Sequence, residues 1–243
     1  MTESTPQPPR EWFSPALERL GAAHAAVALE QTDVYNEFHP VGDWFVDMES
    51  STFRQGDITV QMVPMGTLGT DGSWVWAWAN PPMHPPGSAR LGASLWLRDL
   101  GGREEIPELV TPRLELSEFT DARVAAERLL IACLGALRAK GYGSVTADTG
   151  ARFAMVMTDP AIPEAEFDRV TLPRVIMQGV QVFPHDQRAT VLGYLERHGF
   201  QVTDPFGEVV AAEREGCALK VTFDEHSRVT DLSVDTQETG HRA

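Results

Sequence analysis

The residue types that could catalyse a reaction or hold a metal lie far apart in this sequence. Its seven histidines are His24, His39, His84, His185, His198, His226 and His241. None of them stands at a zinc-ligand spacing from another histidine or from a cysteine. The chain also lacks a phosphate-cradling glycine loop, a dinucleotide-binding fingerprint and a nucleophile elbow. We therefore predict no catalytic residue, no metal site and no cofactor.

The best acidic pattern places Asp43, Asp47 and Glu49 on one face of a predicted strand. Carboxylates arranged in this way could hold a cation or exchange protons. A strand face in contact with water has the same pattern, and we favour that interpretation. Residues 224–226, with the sequence Asp-Glu-His, have the composition of a hairpin turn.

The two cysteines are predicted to be reduced core residues. Cys133 lies within an apolar helical pattern, and Cys217 lies in a predicted strand with alternating side chains. Cys217 could act as a nucleophile with His198 or His226 as its base, but no activating neighbour stands near it in the sequence. Two cysteines in separate units do not indicate a disulfide framework.

Three of the six tryptophans stand at every second position in residues 73–82. The stretch is bounded by Asp-Gly before it and Asn-Pro-Pro after it, which is typical of a strand. Trp74, Trp76 and Trp78 are therefore predicted to share one face, with small side chains on the other. The aromatic face could be covered by another layer, or it could line an open groove.

If the groove is open, the residues around it form a candidate surface for a ligand or a partner. Its members are Trp74, Trp76, Trp78, Asn80, His84 and Trp96. Asn80 could hydrogen-bond a ligand at the end of the strand, or it could close the strand through a side-chain-to-backbone bond.

The elements around this strand follow from local patterns. Ser14-Pro15 is predicted to cap a helix that runs to about residue 34. Asp71-Gly72 predicts a hairpin between the strand at 57–65 and the tryptophan strand, and Pro64 indicates an edge or a bulge in the first of them. Residues 121–139 are predicted to form the core helix, ending at Lys140-Gly141 and packed on the small-residue face of the tryptophan strand.

The charge balance limits the partners. Acidic residues outnumber basic residues by 35 to 20, for a net charge of −15. This charge repels phosphate, so we predict no binding to nucleic acid or to an anionic membrane surface, while a basic protein partner fits it. With no run of eighteen apolar residues and no signal-peptide pattern at the start, the chain is predicted to be cytoplasmic.

The pattern predicts an α+β fold with an N-terminal antiparallel sheet covered by helices, followed by a small β-α-β-β-β domain. The predicted divisions are a disordered start at 1–10, a first domain at 11–160, a linker at 161–170, a second domain at 171–236 and a disordered tail at 237–243. The first element of the second domain is predicted as a strand over residues 174–183. A unit of about 65 residues is close to the lower limit for independent folding, so we expect it to pack on the first domain or on a partner.

The order of landmarks resembles an uncharacterised family of bacterial domains with a tryptophan signature. The resemblance covers about residues 12–158, and it implies a related fold without supplying a reaction, a ligand or catalytic residues. The stretches that carry it are Asp43-Trp44-Phe45-Val46-Asp47 with Thr52-Phe53, Gly66-Thr67, the W-x-W-A-W-x-N run at 74–80, and Gly141-Tyr142 with Phe153.

Two functions from different classes are compatible with these patterns. The first is a non-enzymatic protein-interaction module, for example an immunity-like protein whose negative charge speeds the capture of a basic partner. The second is a small-molecule binder or enzyme with a tryptophan-lined pocket. The tryptophan surface or the second domain could also form a homodimer.

Overall fold

The computed structural model describes residues 8–39 and 41–235 and shows an α+β protein with two antiparallel sheets in that part of the chain. The predicted fold class is confirmed. Of the segments predicted to be disordered, residues 1–7 and 237–243 lie outside the described residues. Arg10 is described and forms an isolated parallel bridge with Phe119.

The described residues form six α-helices and eleven strands, and the longest runs of consecutive strands follow the first helix and the last. The helices are α1 (Pro15–Phe38), α2 (Gly92–Arg103), α3 (Pro107–Val110), α4 (Ala122–Leu137), α5 (Leu172–Val182) and α6 (Gln187–Arg197). The strands are β1 (Trp44–Asp47), β2 (Thr52–Gln55), β3 (Ile58–Leu68), β4 (Ser73–Trp76), β5 (Arg113–Glu115), β6 (Gly141–Thr146), β7 (Arg152–Met157), β8 (Gln201–Thr203), β9 (Val209–Arg214), β10 (Cys217–Phe223) and β11 (Val229–Asp235). None of the described helices combines the length and the apolar character that a membrane span needs.

The long strand β3 organises the first sheet, which contains β1 to β7. It pairs with β2 over its first half, with β4 over its last three residues, and with β7 from Met62 onward. The predicted hairpin between β3 and β4 is confirmed, and Gly72 in its turn has a φ of 79°. β1 lies at one end of the strand order.

The tryptophan strand is shorter than predicted. The β3 ladder shifts register between Pro64 and Gly66, as the proline indicated, and a bulge bends the strand that carries it. The pairing of β4 ends opposite Gly66, at Trp76. Residues Ala77–Ala79 then form a short 3₁₀ turn. The prediction that Trp78 shares a strand face with Trp74 and Trp76 is therefore wrong.

Helix α4, the predicted core helix, covers the tryptophan face of β4. The prediction that it packs on the small-residue face is therefore wrong. Trp74 and Trp76 belong to the same buried cluster as Leu129, Leu130 and Leu134 of α4. Indole rings bury more apolar area than alanine or valine side chains do, so packing this face removes more apolar surface from water. Val75, on the other side of the strand, is only half-buried.

Helix α4 ends earlier than predicted. Its last residue is Leu137, and Arg138 caps it in the left-handed conformation with a φ of 49°. The backbone N–H of Arg138 donates to the carbonyl oxygens of Leu134 and Gly135. Gly141, which the sequence suggested as the cap, instead begins β6, where its lack of a side chain leaves room for the ring of Tyr35.

Helix α1 is packed against three other helices. Ser14 caps it as predicted, accepting a hydrogen bond from the N–H of Leu17. Its contacts with α4, α5 and α6 are the most extensive among the helices. At each of these contacts a glycine removes the side chain that would prevent close approach, and the three glycines are Gly135, Gly179 and Gly193.

The C-terminal unit begins with two helices, and its first element is not the predicted strand. Residues 172–182 form α5, whose buried positions Leu172, Val175, Ile176 and Val180 follow a helical repeat. Helices α5 and α6 cover one face of the second sheet, which has the order β11-β10-β9-β8. Ala26 of α1 belongs to the same buried cluster, so the unit packs directly on α1.

We expect Gly193→Ala to lower the free energy of unfolding by about 1–3 kcal/mol, the usual cost of overpacking. The added methyl group would overlap with the backbone carbonyl of Ala23, which cannot rotate away. Urea denaturation followed by far-UV circular dichroism measures the change.

Gly102→Ala is the matched control, because no atom lies within 4 Å of the position of a Cβ at this helical residue. That variant should gain about 0.5–1 kcal/mol from helix propensity. Equal stability of the two variants would contradict the close contact between α6 and α1.

Candidate functional site

Trp74 and Trp76 are inaccessible to a ligand or a partner. Both side chains have 0% of their surface exposed, and their rings meet edge to face with centroids 5.5 Å apart. The indole N–H of Trp76 donates to the carbonyl oxygen of Glu108 at 2.9 Å. The indole N–H of Trp74 has no hydrogen-bond partner among the described residues. The interpretation of these two residues as an open binding surface is therefore wrong: they form the core.

The other members of the predicted surface do not form a common face. Trp78 is half-buried with the guanidinium of Arg98 over its ring, and Trp96 on α2 is 43% exposed. Asn80 and His84 are brought together, because the carbonyl oxygen of Asn80 accepts the N–H of His84 at 2.9 Å. Asn80 thus takes part in a turn after the tryptophan strand.

His84 is a buried histidine without a complete set of hydrogen bonds. Its side chain packs near the ring of Phe153, and its Nδ1 atom has no partner among the described residues. Burial lowers the pKa of His84 below its ordinary value of 6.5, and the nearby charge of Arg90 lowers it further. The neutral imidazole is the form that the fold accommodates.

The acidic pattern at residues 43–49 includes a turn. A carboxylate oxygen of Asp47 accepts the backbone N–H groups of Glu49 and Ser50, at 2.8 and 3.2 Å. The Ser50 side chain, followed by these backbone bonds, lowers the pKa of Asp47. Asp43 is exposed. Among residues 8–39 and 41–235, no three histidine, cysteine or acidic side chains are grouped so that they could hold a metal.

An apolar cavity of about 570 Å³ lies between the segment at residues 10–12, helix α4 and the end of α5. The buried Arg128 lines it, but its guanidinium already has partners. It donates to both carboxylate oxygens of Glu18 at 2.7 Å and to the carbonyl oxygens of Glu11 and Val182. This arginine holds the start of the chain against α1 and α5, and it has no role left for a ligand.

A buried cluster of Glu30, Tyr194 and His198 joins α1 to α6. The hydroxyl of Tyr194 donates to one oxygen of Glu30 and the Nε2 atom of His198 meets the other, both at 2.8 Å. Burial raises the pKa of Tyr194, and the charge of Glu30 raises it further. These three residues line neither the apolar cavity nor the second large cavity, which lies beside α1. The role of the three residues is to link the two helices.

A second cavity, of about 490 Å³, has polar walls and lies over α1, between the C-terminal ends of α4 and α6. We refer to it as the polar cleft. Its lining residues are Ala23, His24, Val27, Ala28, Gln31, Leu134, Gly135, Arg138, Ala139, Lys140, Glu164, Gly193, Glu196 and Arg197. The floor is α1, the walls are the last turns of α4 and α6, and Glu164 comes from the predicted linker.

The rim of the polar cleft is closed by a bridge of charges. One oxygen of Glu164 accepts from the ammonium of Lys140 at 2.7 Å, and the other accepts from Arg197 at 3.3 Å. The bond from Lys140 is the main cause of the lowered pKa of Glu164. The side-chain amide of Gln31 donates to the carbonyl oxygens of Lys140 and Pro163, so α1 also holds the linker in place.

Three polar side chains of the polar cleft have no partner among the described residues. The ring of His24, the guanidinium of Arg138 and the carboxylate of Glu196 make no hydrogen bond or ion pair there. Burial, followed by the charge of Arg138, lowers the pKa of His24. The charge of Glu196 opposes this shift without cancelling it, and the cleft presents a cation, a carboxylate and a neutral imidazole to the solvent.

The strand β1 forms an exposed aromatic edge. Trp44 and Phe45 are 49% and 55% exposed, although they lie in a strand. Both are large apolar side chains, and they stand on opposite faces because successive residues of a strand point to opposite sides. We refer to residues Trp44–Asp47 as the β1 edge.

Sequence reasoning missed both the polar cleft and the β1 edge. No sequence motif includes His24, and Arg138 and Arg197 are more than fifty residues apart in the sequence. The alternation of residues 43–49 predicted the strand itself, but its position at the edge depends on the order of the strands in space.

The family model of DUF6882, which is described as a family of unknown function, matches residues 18–160. The match covers more than half of the chain and includes most of α1, the tryptophan stretch and the first sheet. Comparison with curated proteins and with solved structures gave no match.

We expect acid to destabilise the protein in part through His84. Its pKa is lower in the folded state than in the unfolded chain, so the unfolded state binds more protons and stability falls as the pH drops below about 6.5. His84→Leu removes this proton site, and the loss of thermal stability between pH 7.5 and pH 5.5 should be smaller than in the wild type. Differential scanning calorimetry at both pH values measures the loss.

His226→Leu is the control, since the His226 side chain is 64% exposed and in contact with water. This variant should retain the wild-type loss of stability on acidification. His24, whose pKa is also lowered by burial, remains in both variants. His84→Leu should therefore remove only part of the loss of stability on acidification. An unchanged loss in His84→Leu would show that His84 is protonated as easily in the folded protein as in the unfolded chain.

Proposed function

The chain belongs to DUF6882, a family of unknown function, and we propose that it is a protein-interaction module that binds an extended basic segment of a partner along the β1 edge. The observation that carries this proposal is the exposure of Trp44 and Phe45 at the end of the first sheet. Aromatic side chains contribute much of the binding energy in protein interfaces.

The backbone of the β1 edge can accept another strand. The backbone carbonyl oxygen of Asp43 accepts a hydrogen bond from the N–H of Gly56 across the hairpin. Every second residue of an antiparallel strand makes such bonds to the same neighbour, so the backbone groups of Phe45 also point toward β2. The N–H and C=O groups of Trp44 and Val46 then point away from β2. No described strand pairs with that side. An extended segment can bind there by adding a strand to the sheet.

The charge of the protein favours a basic partner. The net charge is −15, and the exposed carboxylates of Asp43 and Glu49 lie at the two ends of the β1 edge. Opposite charge speeds the encounter of two proteins and weakens the binding of acidic competitors. An immunity-like role, in which the module captures a basic toxin, is one form of this function.

The alternative of a tryptophan-lined pocket has lost its main support, because Trp74 and Trp76 are packed in the core. The proposal includes a cytoplasmic location. The two cysteines, Cys133 and Cys217, are both free and buried, which is compatible with a reducing compartment.

The test begins with affinity enrichment from lysate of the source cells on immobilised wild-type protein and on the double variant Trp44→Ser/Phe45→Ser. A protein enriched only by the wild type is then purified, and its dissociation constant is measured by titration. We expect the double variant to bind at least tenfold more weakly, a loss of about 1.4 kcal/mol or more. Binding should also weaken as salt is raised.

Trp96→Ser is the matched control, because Trp96 has a similar exposure of 43% but lies on α2. It should bind the purified partner as tightly as the wild type. If every enriched protein binds the double variant and the wild type equally, the β1 edge is not the interaction surface.

A further inference from the structure

We propose that the polar cleft binds a small organic anion, which Arg138 and His24 recognise through a carboxylate or phosphate group. This site shares no residue with the β1 edge. It is independent of the proposed interaction with a protein.

The shape of the polar cleft results from the packing of helices. Gly135 of α4 lies against His24, and Gly193 of α6 lies against Ala23, so both helices approach α1 closely at neighbouring residues. The cleft of about 490 Å³ lies between the C-terminal ends of these two helices, while Tyr194 and His198 hold the end of α6 to Glu30 of α1. Ligand sites in proteins commonly have volumes of roughly 300–1,000 Å³.

Cations are concentrated in the cleft of an otherwise acidic protein. Three of its fourteen lining residues are basic, whereas the whole chain has 20 basic residues among 243. Glu164 neutralises part of this charge by bridging Lys140 and Arg197. Among the described residues, the guanidinium of Arg138 has no hydrogen-bond or ion-pair partner. A guanidinium is the side-chain group best shaped to bind a carboxylate or a phosphate through two hydrogen bonds.

The backbone of Arg138 gives independent support. With a φ of 49°, the residue occupies the left-handed cap position at which glycine is favoured. A glycine there would cap α4 with less strain, and an arginine side chain is not needed for the cap. A cation at this strained position is compatible with a use for its charge.

His24 complements the arginine. Its ring lies half-buried on the floor of the cleft, and the lowered pKa keeps it neutral at physiological pH. A neutral imidazole both donates and accepts a hydrogen bond. It can therefore bind a hydroxyl or an anionic oxygen of the same ligand. The exposed carboxylate of Glu196 on the opposite wall disfavours ligands with several negative charges.

The test is isothermal titration calorimetry of the full-length protein at low salt with three probes. These are glycerol phosphate, succinate and uncharged glycerol. We expect at least one of the two anions to bind with a dissociation constant in the millimolar range or below, and glycerol to show no binding. The comparison of the two anions decides between phosphate and carboxylate recognition. If neither anion binds more tightly than glycerol, the proposal is wrong.

Two variants separate binding from folding. Arg138→Gly removes the cation and relieves the cap, so its Tm should equal or exceed that of the wild type while anion binding falls at least tenfold. Arg138→Gln keeps a side chain of similar length and should show the same loss of binding. Arg103→Gln is the control, because Arg103 is an exposed arginine at the end of α2, outside the cleft. Wild-type affinity in both Arg138 variants would overturn the proposal.

Discussion

The structure depends on the close approach of three helices to one stretch of α1. Gly135, Gly179 and Gly193 come from α4, α5 and α6, and each lies against α1 between residues 23 and 26. A side chain at any of these glycines would separate a helix from α1 and open the core between them. Because α4 covers the first sheet and α5 and α6 cover the second, this one stretch joins the two layers of the protein.

Buried carboxylates then determine the position of α1 along its axis. Glu108 accepts hydrogen bonds from the N–H and hydroxyl of Ser14 at the start of the helix. Glu18 pairs with Arg128, and Glu30 pairs with residues of α6. Burying charged groups costs desolvation energy that the pairing only partly recovers. We therefore attribute to these pairs a role in selecting one arrangement of the helices, while apolar packing supplies the stability.

Features determined by near neighbours were predictable from the sequence, and features determined by distant ones were not. The cap at Ser14 and the hairpin at Asp71-Gly72 depend on a few adjacent residues, and both were predicted correctly. Residues 174–182 contain apolar side chains at both strand and helix intervals, and only the helical repeat includes Ile176. The polar cleft combines α1, α4 and α6, so no local pattern marks it.

The family boundary in the sequence does not coincide with a boundary in the packing. The matched region ends at residue 160, yet Ala26 and Glu30 of α1 are covered by residues after it. A chain that stopped at this boundary would expose a stripe of small side chains and leave the carboxylate of Glu30 without its partners. A relative with another C-terminal region, or with none, must bury this face of α1 against other residues. We therefore expect a relative with a different C-terminal region to differ also on this face of α1.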